Sequence, residues 1–478
     1  MSNATQSLAG KRITSLLDEN SFVEIGQSVT ARNTDFNMTA EKAPSDGVIT
    51  GYGVIDGSLV YVYSQDASVL NGTVGEMHAK KITKIYDMAM KTGAPVIGLI
   101  DCAGLRLQEA TDALEAFGEI YLKQTLASGV IPQITGIFGT CGGGMALIPA
   151  LTDFTFLEET KGKMFVNTPN ALKDNSTSKC DTSDAKFQSE ETGLIDGVGT
   201  EEEILAKIRE LITYLPSNNE DTDSFMECTD DLNRVCSDLA DCAADTAAAL
   251  MKIADDEEFF EVNPAFGKDV VAGFIRLNGM TVGAVANRSA YYDPETDKME
   301  ELGGTLSAKG AHKAAKFVKL CDAFGIPVLT LTNVTGFKAD KCNEKKMAAC
   351  AGELAYAFAN ATVPKVNVII GKAFGSAYTV MNSKSLGADM VYAWEDAQIG
   401  MMDASLAAKI MYAGADAAEL GKKAEEYNQL QQSVASAAAR GYVDTIIQPA
   451  DTRKYVIGAF EMLFTKREDR PSKKHGSV

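Results

Sequence analysis

Hydrophobic and polar positions along this chain follow two patterns, short apolar runs and longer amphipathic stretches. Two apolar runs, PVIGLID from Pro95 and PQITGIFG from Pro132, are rich in β-branched residues and end near glycines, which predicts buried strands. The stretch between them, LEAFGEIYLKQTLAS from Leu114, has the composition and spacing of a helix. Strands that alternate with helices predict an α/β protein with a mainly parallel or mixed sheet.

The same pattern occurs twice. GAPVIGLIDCAG begins at Gly93, and GIPVLTLTNVTG begins 232 positions later, at Gly325. Gly139 and Gly371, which follow the next predicted strand of each copy, keep this offset. Each copy is preceded by a pair of runs that predicts a β-hairpin, GVITGYGVIDGSLVYVYSQD and VAGFIRLNGMTVGAVANR. Equal spacing of several matched elements predicts an internal duplication.

This duplication predicts two domains of similar size. We expect an N-terminal domain over residues 1–220 and a C-terminal domain over residues 221–478. An acidic, polar stretch from Pro216, PSNNEDTDSFMECTDD, would join them. A chain of 478 residues is also longer than one hydrophobic core usually serves.

Composition and charge exclude several classes of protein. Acidic residues outnumber basic ones by 65 to 45, and a net charge of −20 should repel nucleic acid and anionic lipid. No apolar run approaches the ~18–20 residues that span a bilayer, and the N-terminus lacks a secretory signal pattern. We therefore expect a cytoplasmic protein that is not integral to a membrane. No two of the nine cysteines form a CxxC pair, and we expect no metal bound by this chain.

A glycine-rich turn follows a predicted strand in each half. The turns are GTCGGGMALIPAL, from Gly139, and GKAFGSAYTVMNS, from Gly371. Glycine lets the backbone approach a ligand closely, and the first N–H groups of a helix have no partner inside it. Two such groups aimed at one point form an oxyanion hole. Close packing of a helix on a strand is the alternative, but the occurrence of the turn in both halves favours a functional role.

Other glycine motifs fit these turns poorly. A P-loop needs a lysine after its glycines, and the dinucleotide fingerprint GxGxxG does not match GTCGGG in register. A serine-hydrolase elbow at Ser376 would need glycine where Phe374 and Tyr378 stand. A hydratase or isomerase would use carboxylates as acid and base, with Glu109 as the candidate. The ordinary role of Glu109 would be that of a salt-bridged or solvated helix residue.

Several motifs together resemble one enzyme family. DCAGLRLQEA, from Asp101, is similar to DSGGARxQEG, and GTCGGGMALIPALTDF is similar to GxCAGGAAYSPALTDF. Both belong to carboxyltransferase subunits of biotin-dependent acyl-CoA carboxylases and decarboxylases, of the propionyl-CoA carboxylase beta type. AYAFANATVPKVNVIIGKAFGSAY and AAARGYVDTIIQPADTRKYVIGAFEML resemble the second domain of that family. The resemblance covers nearly the whole chain and implies two tandem crotonase-like domains, built as ββα spirals.

The function implied by the resemblance is transfer of a carboxyl group between carrier-bound biotin and the α-carbon of an acyl-CoA, of the acetyl- or propionyl-CoA class. The first domain would face the acyl-CoA and the second the biotin. Biotin would arrive on a biotin carboxyl carrier protein, with biotin carboxylase as a further partner. The family also implies a homo-oligomer, a dimer or a trimer of dimers.

Two alternatives stay open. The chain could serve a sodium-pumping decarboxylase with membrane subunits and consume methylmalonyl-, glutaconyl- or malonyl-CoA. It could also be a non-catalytic scaffold that binds CoA. Lys91, in DMAMKTG, superficially resembles a biotin acceptor, but we expect it at the C-terminus of a helix, where its charge suits the helix dipole.

Matching residue by residue implies a site in each half. Gly143 and Gly144 would hold the thioester oxygen, while Ser376 and Ala377 would hold the biotin oxygen, with the register open by one residue. A nitrogen of biotin can take the α-proton, so the resemblance requires no side-chain base. Two departures from the family pattern, NVTGF for DVPGF and Ser376 for a glycine, bear on the substrate more than on the reaction. The implied substrate-binding positions are Ala103, Gly104, Gly375 and Thr379.

Overall fold

The structure is a computed structural model that divides into two compact units, Met1–Ser224 and Phe225–Val478. It describes residues 7–34, 36, 43–221, 225–293 and 296–471. Each unit is built around one mixed sheet whose parallel part alternates with helices, which confirms the predicted α/β class. None of the helices within these described ranges has the length and apolar character needed to cross a membrane.

The strands of the first unit form a sheet in the order β1-β2-β3-β4-β5-β6-β8, and β7 pairs with the carboxyl end of β5. The pairs β1–β2 and β2–β3 are antiparallel, and the pairs from β3–β4 onward are parallel. The strands are β1 (Val23–Ile25), β2 (Val48–Ile55), β3 (Ser58–Gln65), β4 (Val96–Cys102), β5 (Gln133–Gly142), β6 (Phe154–Glu158), β7 (Lys163–Phe165) and β8 (Gly197–Gly199). The helices are α1 (Leu8–Leu16), α2 (Glu76–Thr92), α3 (Ala110–Ala127), α4 (Leu147–Ala150), α5 (Ala185–Phe187) and α6 (Glu201–Tyr214).

The second unit repeats this order as β18-β16-β15-β14-β11-β10-β9, with β17 paired to β15 and a separate antiparallel pair of β12 with β13. Its strands are β9 (Phe260–Glu261), β10 (Val270–Leu277), β11 (Met280–Asn287), β12 (Ala290–Asp293), β13 (Lys298–Glu301), β14 (Val328–Val334), β15 (Lys365–Phe374), β16 (Met390–Trp394), β17 (Gln398–Gly400) and β18 (Thr445–Ile447). Its helices are α7 (Thr246–Ile253), α8 (Ala308–Ala323), α9 (Lys341–Glu344), α10 (Met347–Asn360), α11 (Gly375–Val380), α12 (Ala404–Met411), α13 (Ala417–Tyr427), α14 (Val434–Ala439) and α15 (Thr452–Leu463).

The duplication extends to single hydrogen bonds. In the first unit Asp153 accepts the N–H of Gln133 at 2.8 Å, and in the second Asp389 accepts the N–H of Lys365 at 2.8 Å. Each bond fixes the start of the strand that precedes a glycine turn. Both units also carry the predicted hairpin and the predicted buried strands, so these expectations are confirmed.

Amphipathic spacing explains how the helices cover the sheets. In α2 the residues Ile82, Ile85, Tyr86 and Ala89 lie on one face of the helix and are at most 1% exposed. They pack into the apolar core of the first unit together with side chains of β3 and β4. Lys91 lies in the last turn of α2, as the sequence predicts.

Packing of α15 generates a stability prediction. Phe460 is 1% exposed and packs in the core of the second unit, whereas Met462, two positions further on, is 58% exposed. We expect Phe460→Ala to lower the free energy of unfolding by about 3–5 kcal/mol, because it leaves a cavity. Met462→Ala, the matched control, should change it by less than about 0.5 kcal/mol. Urea denaturation of both variants measures the difference, and equal losses would contradict the core assignment.

Candidate active site

The two glycine turns occupy matched places at the carboxyl ends of β5 and β15. We name them the β5 turn (residues 142–146) and the β15 turn (residues 374–378). Gly143 and Gly375, 232 positions apart, both have φ of 63°, in the left-handed region where a side chain causes strain. Each glycine begins a helical turn, a 3₁₀ turn over Gly143–Ala146 and helix α11. A Cβ added at Gly143 would have no described atom within 4 Å, so the backbone here borders open space.

In each unit a second turn follows the strand next to the one that carries the glycine turn. In the first unit it is the β4 turn (residues 103–106), where Gly104 has φ of 115°. A Cβ on Gly104 would lie 3.1 Å from the carbonyl oxygen of Gly142, so the β4 turn and the β5 turn are in close contact. The N–H of Ala103 donates to the carbonyl of Asn71 at 3.1 Å, so this N–H already has an acceptor within the chain.

Equivalent bonds hold the matching turn of the second unit. Val74 donates to the carbonyl of Gly104 at 2.9 Å, and Leu306 donates to the carbonyl of Gly336 at 2.9 Å. Leu306 follows Val74 by 232 positions, and Gly336 follows Gly104 by the same offset. The two units therefore hold these turns by the same backbone bond.

Structural equivalence relates the predicted donors of the two units. When Gly143 is matched to Gly375, at the same φ and an offset of 232 positions, Gly144 corresponds to Ser376. Ala377 then corresponds to Met145, and both side chains are fully buried. Gly144 and Ser376 are therefore the two predicted donors that match each other across the repeat, and Ser376 is exposed.

A tyrosine that no sequence motif singles out orients the β5 turn. The hydroxyl of Tyr121, on α3, donates to the carbonyl oxygen of Gly144 at 2.6 Å. Burial raises the pKa of Tyr121, so the hydroxyl keeps the proton that this bond needs. Its ring also contacts the ring of Phe117, with the centroids 5.8 Å apart. The bond fixes the peptide that follows Gly144.

The β15 turn has its own neighbours. A Cβ on Gly375 would lie 3.2 Å from the carbonyl oxygen of Met401, and the Thr379 hydroxyl donates to the carbonyl of Gly375 at 3.4 Å. Burial raises the pKa of Tyr378 to about 12, so this side chain is a neutral phenol at physiological pH. The side chain of Thr379 is exposed.

Candidate acids and bases near the β5 turn are already engaged. Glu109 is buried, with one oxygen 2.9 Å from Arg106 Nη1 and the other accepting the N–H of Glu76 at 2.6 Å. This confirms its salt-bridged role and leaves it unsuited to act as a general base. Burial lowers the pKa of His78 to about 3, so its ring is neutral at physiological pH.

Within the part of the chain that the structure describes, no group of three or more His, Cys, Asp or Glu side chains is arranged to hold an ion. The donors that line the turns are backbone N–H groups and hydroxyls.

Comparison with known proteins points to one family. A carboxyl transferase domain model matches residues 3–478. The chain is 40% identical to a propionyl-CoA carboxylase beta chain of Roseobacter denitrificans, over 98% of this chain and 93% of the relative. It is 39% identical to a methylmalonyl-CoA decarboxylase subunit alpha of Propionigenium modestum, over 98% of this chain and 92% of the relative. A solved transcarboxylase 12S structure with hydrolysed methylmalonyl-coenzyme A bound superposes with a TM-score of 0.91 at 34% identity, covering 99% of this chain and 93% of that one.

The burial of His78 predicts that the free energy of unfolding depends on pH. Its pKa is about 3 in the folded protein and about 6.5 in an unfolded chain, so between these values only the unfolded state binds the proton. Acidification from pH 7 to 5 should therefore lower the free energy of unfolding by about 2 kcal/mol through this group. His78→Asn should remove that part of the pH dependence. Urea denaturation at pH 7 and 5 measures it, and equal losses in the wild-type protein and the variant would contradict the buried neutral state.

Proposed function

The chain belongs to the carboxyl transferase family and is a carboxyltransferase of the propionyl-CoA carboxylase beta type, and from that premise we propose its substrates and site. It moves a carboxyl group between biotin on a separate carrier protein and the α-carbon of a short acyl-CoA. The observation that carries this proposal is the repeated turn, in which Gly143 and Gly375 share one left-handed conformation at the carboxyl ends of matched strands.

Each turn serves one of the two reacting groups in this proposal. Gly143 and Gly144 hold the thioester oxygen, and Ser376 and Ala377 hold the urea oxygen of biotin. Both oxygens are neutral acceptors that gain negative charge as the carboxyl group moves, and backbone N–H donors stabilise such charge without a proton transfer. Gly144 and Ser376 have the strongest support, since the repeat and the family motif both select them.

The residues of the two turns fit these ligands. Open space beside Gly143 leaves room for a thioester, and a side chain there would fill it. Ala103 and Gly104 border that space from the β4 turn, while on the biotin side Gly375 lies in the β15 turn and Thr379 directly follows it. Bound biotin supplies a nitrogen that carries the carboxyl group and can take the α-proton. The chain then needs no side-chain base, which agrees with the engagement of Glu109 and with the low pKa of His78, which makes its ring a weak base.

Partners and assembly follow from the same proposal. Residues 1–220 form the acyl-CoA side and residues 221–478 the biotin side, a boundary that lies near the division between the two compact units. Biotin arrives on a carrier protein that a biotin carboxylase charges. The chain works as a homo-oligomer, and the hexamer of the related transcarboxylase 12S supports a trimer of dimers.

A second candidate function is removal of the carboxyl group from methylmalonyl-CoA, with the chain as the carboxyltransferase subunit of a decarboxylase. The similarity to a methylmalonyl-CoA decarboxylase subunit alpha favours it, at 39% identity. The same two turns would serve the reaction in either direction, because the thioester oxygen and the urea oxygen of biotin gain negative charge in both.

Free biotin gives the first test. We expect the purified full-length chain to remove the carboxyl group of methylmalonyl-CoA or malonyl-CoA only when biotin is present. Loss of the acyl carboxylate, followed by chromatography of the CoA esters, measures this and identifies the preferred acyl group. Binding of CoA esters without turnover would support the scaffold alternative, and failure to bind them would overturn the proposal.

Ser376 provides a test of the backbone donor. Ser376→Pro removes the N–H, and position 376 lies in the first turn of α11, where proline is tolerated. We expect kcat to fall roughly 100- to 1,000-fold, the usual cost of one oxyanion donor. Ser376→Ala, the matched control, keeps the N–H and should retain kcat within about threefold. Comparable kcat values for the two variants would remove Ser376 from the site.

A further inference from the structure

A chain of buried polar side chains connects the β4 turn with the β5 turn. Arg106, in the β4 turn, has a fully buried side chain whose Nη1 is paired with Asp46 and with Glu109. Its Nη2 donates to the carbonyl of Thr73 at 2.6 Å. The N–H of Arg106 also donates to the carbonyl of Val74 at 3.0 Å. Both the side chain and the backbone of Arg106 therefore fix the β4 turn.

The next members of this chain are Asp46 and His78. One carboxylate oxygen of Asp46 accepts from Arg106, and the other accepts the N–H of His78 at 2.7 Å. His78 Nδ1 lies 2.8 Å from the carbonyl oxygen of Asp46. A carbonyl oxygen only accepts, so Nδ1 carries the proton of the neutral ring and Nε2 is left as an acceptor.

Gln65 completes the path to the glycine turn. Its amide nitrogen lies 3.1 Å from His78 Nε2, and because that atom is an acceptor, Gln65 donates. The same amide nitrogen donates to Met145 Sδ at 3.8 Å, a weaker bond to a sulfur acceptor. Met145 follows Gly144 in the β5 turn and is fully buried. The tautomer of His78 thus sets the orientation of the Gln65 amide and, through it, the side chain of Met145.

Resting on the proposed function, we propose that Gln65 and His78 are positioning residues for carboxyl transfer at the acyl-CoA side. They do not contact the thioester. They connect the β4 turn, fixed by Arg106, to Met145, so that the N–H donors of Gly143 and Gly144 keep one position relative to the bound acyl group. Oxyanion donors act through a fixed geometry, and a displacement of about 1 Å costs up to roughly 100-fold in rate.

The second unit shows that the fold does not need this chain of side chains. Position 310, which corresponds to His78, is glycine, and Lys338, which corresponds to Arg106, is exposed. Asn287 lies at the end of β11 as Gln65 lies at the end of β3, but its Oδ1 accepts the N–H of Asn333 at 3.2 Å. The polar chain is therefore a property of the acyl-CoA side alone, which favours a role in the reaction there.

Gln65→Met tests the proposal, because methionine keeps the length of the side chain and removes its donors. Gln133→Met is the matched control. Gln133 is also fully buried and also has an unpartnered Oε1, but it lies at the opposite end of β5 from the glycine turn. We expect Gln65→Met to lower kcat for biotin-dependent decarboxylation about 10- to 100-fold, with KM for the thioester within about threefold. Gln133→Met should lower the unfolding temperature by a similar amount and keep kcat within about threefold.

His78→Asn breaks the same link from the other side. If Gln65→Met fails to fold, His78→Asn replaces it in the comparison with Gln133→Met, with the same loss of kcat expected and equal kcat values contradicting the inference. Asparagine keeps a donor for the carbonyl of Asp46 and loses the acceptor for Gln65. If both residues act through one link, the double variant should lose no more kcat than the more impaired single variant. Multiplied losses in the double variant, or equal kcat for Gln65→Met and Gln133→Met, would overturn the inference. An inactive wild-type protein would instead count against the proposed function.

Discussion

Parallel pairing of β4 with β5, and of β14 with β15, is the constraint on which both candidate sites depend. In a parallel pair the carboxyl ends of the strands meet at one edge of the sheet, so the turns that follow them are neighbours. A left-handed glycine then redirects the backbone at the end of β5 and β15 and begins a helical turn, whose first N–H groups have no partner within the helix. The donors of the proposed reaction therefore come from the backbone, and their placement follows from the pairing of two buried strands.

The two halves keep this geometry and differ in how they support it. The first unit uses buried charge, with Arg106 paired to two carboxylates that would be costly to bury alone. The second unit uses amides, where Asn333 Oδ1 accepts the N–H of Lys372 at 3.1 Å and its Nδ2 donates to the carbonyl of Ala243 at 3.2 Å. Asp101 is the residue of the first unit that corresponds to Asn333, and its Oδ2 lies 3.5 Å from Arg12 Nη1. Duplication preserved the backbone, and the polar side chains around it diverged.

Much of the fold could be predicted from the sequence because its elements are strongly patterned. The apolar runs from Pro95 and Pro132 form β4 and β5, and the paired runs before each copy form hairpins. The antiparallel pair of β12 and β13 was not predicted, since its residues carry mixed charge and little apolar alternation. Tyr121 was missed for a different reason, because its hydroxyl reaches Gly144 across 23 positions of chain and nothing in the helical spacing indicates that partner.

The sequence by itself determined the duplication, the α/β class, the two glycine turns and the family, because these depend on local pattern and on motifs that can be read in order. Tertiary structure alone decided that Gly143 and Gly375 share one left-handed conformation and which carboxylates are available. Glu109 is an acidic residue near a candidate site in the sequence, and in the fold both of its oxygens are engaged. Protonation and availability depend on burial and on partners distant along the chain, so they become defined only when the chain has folded.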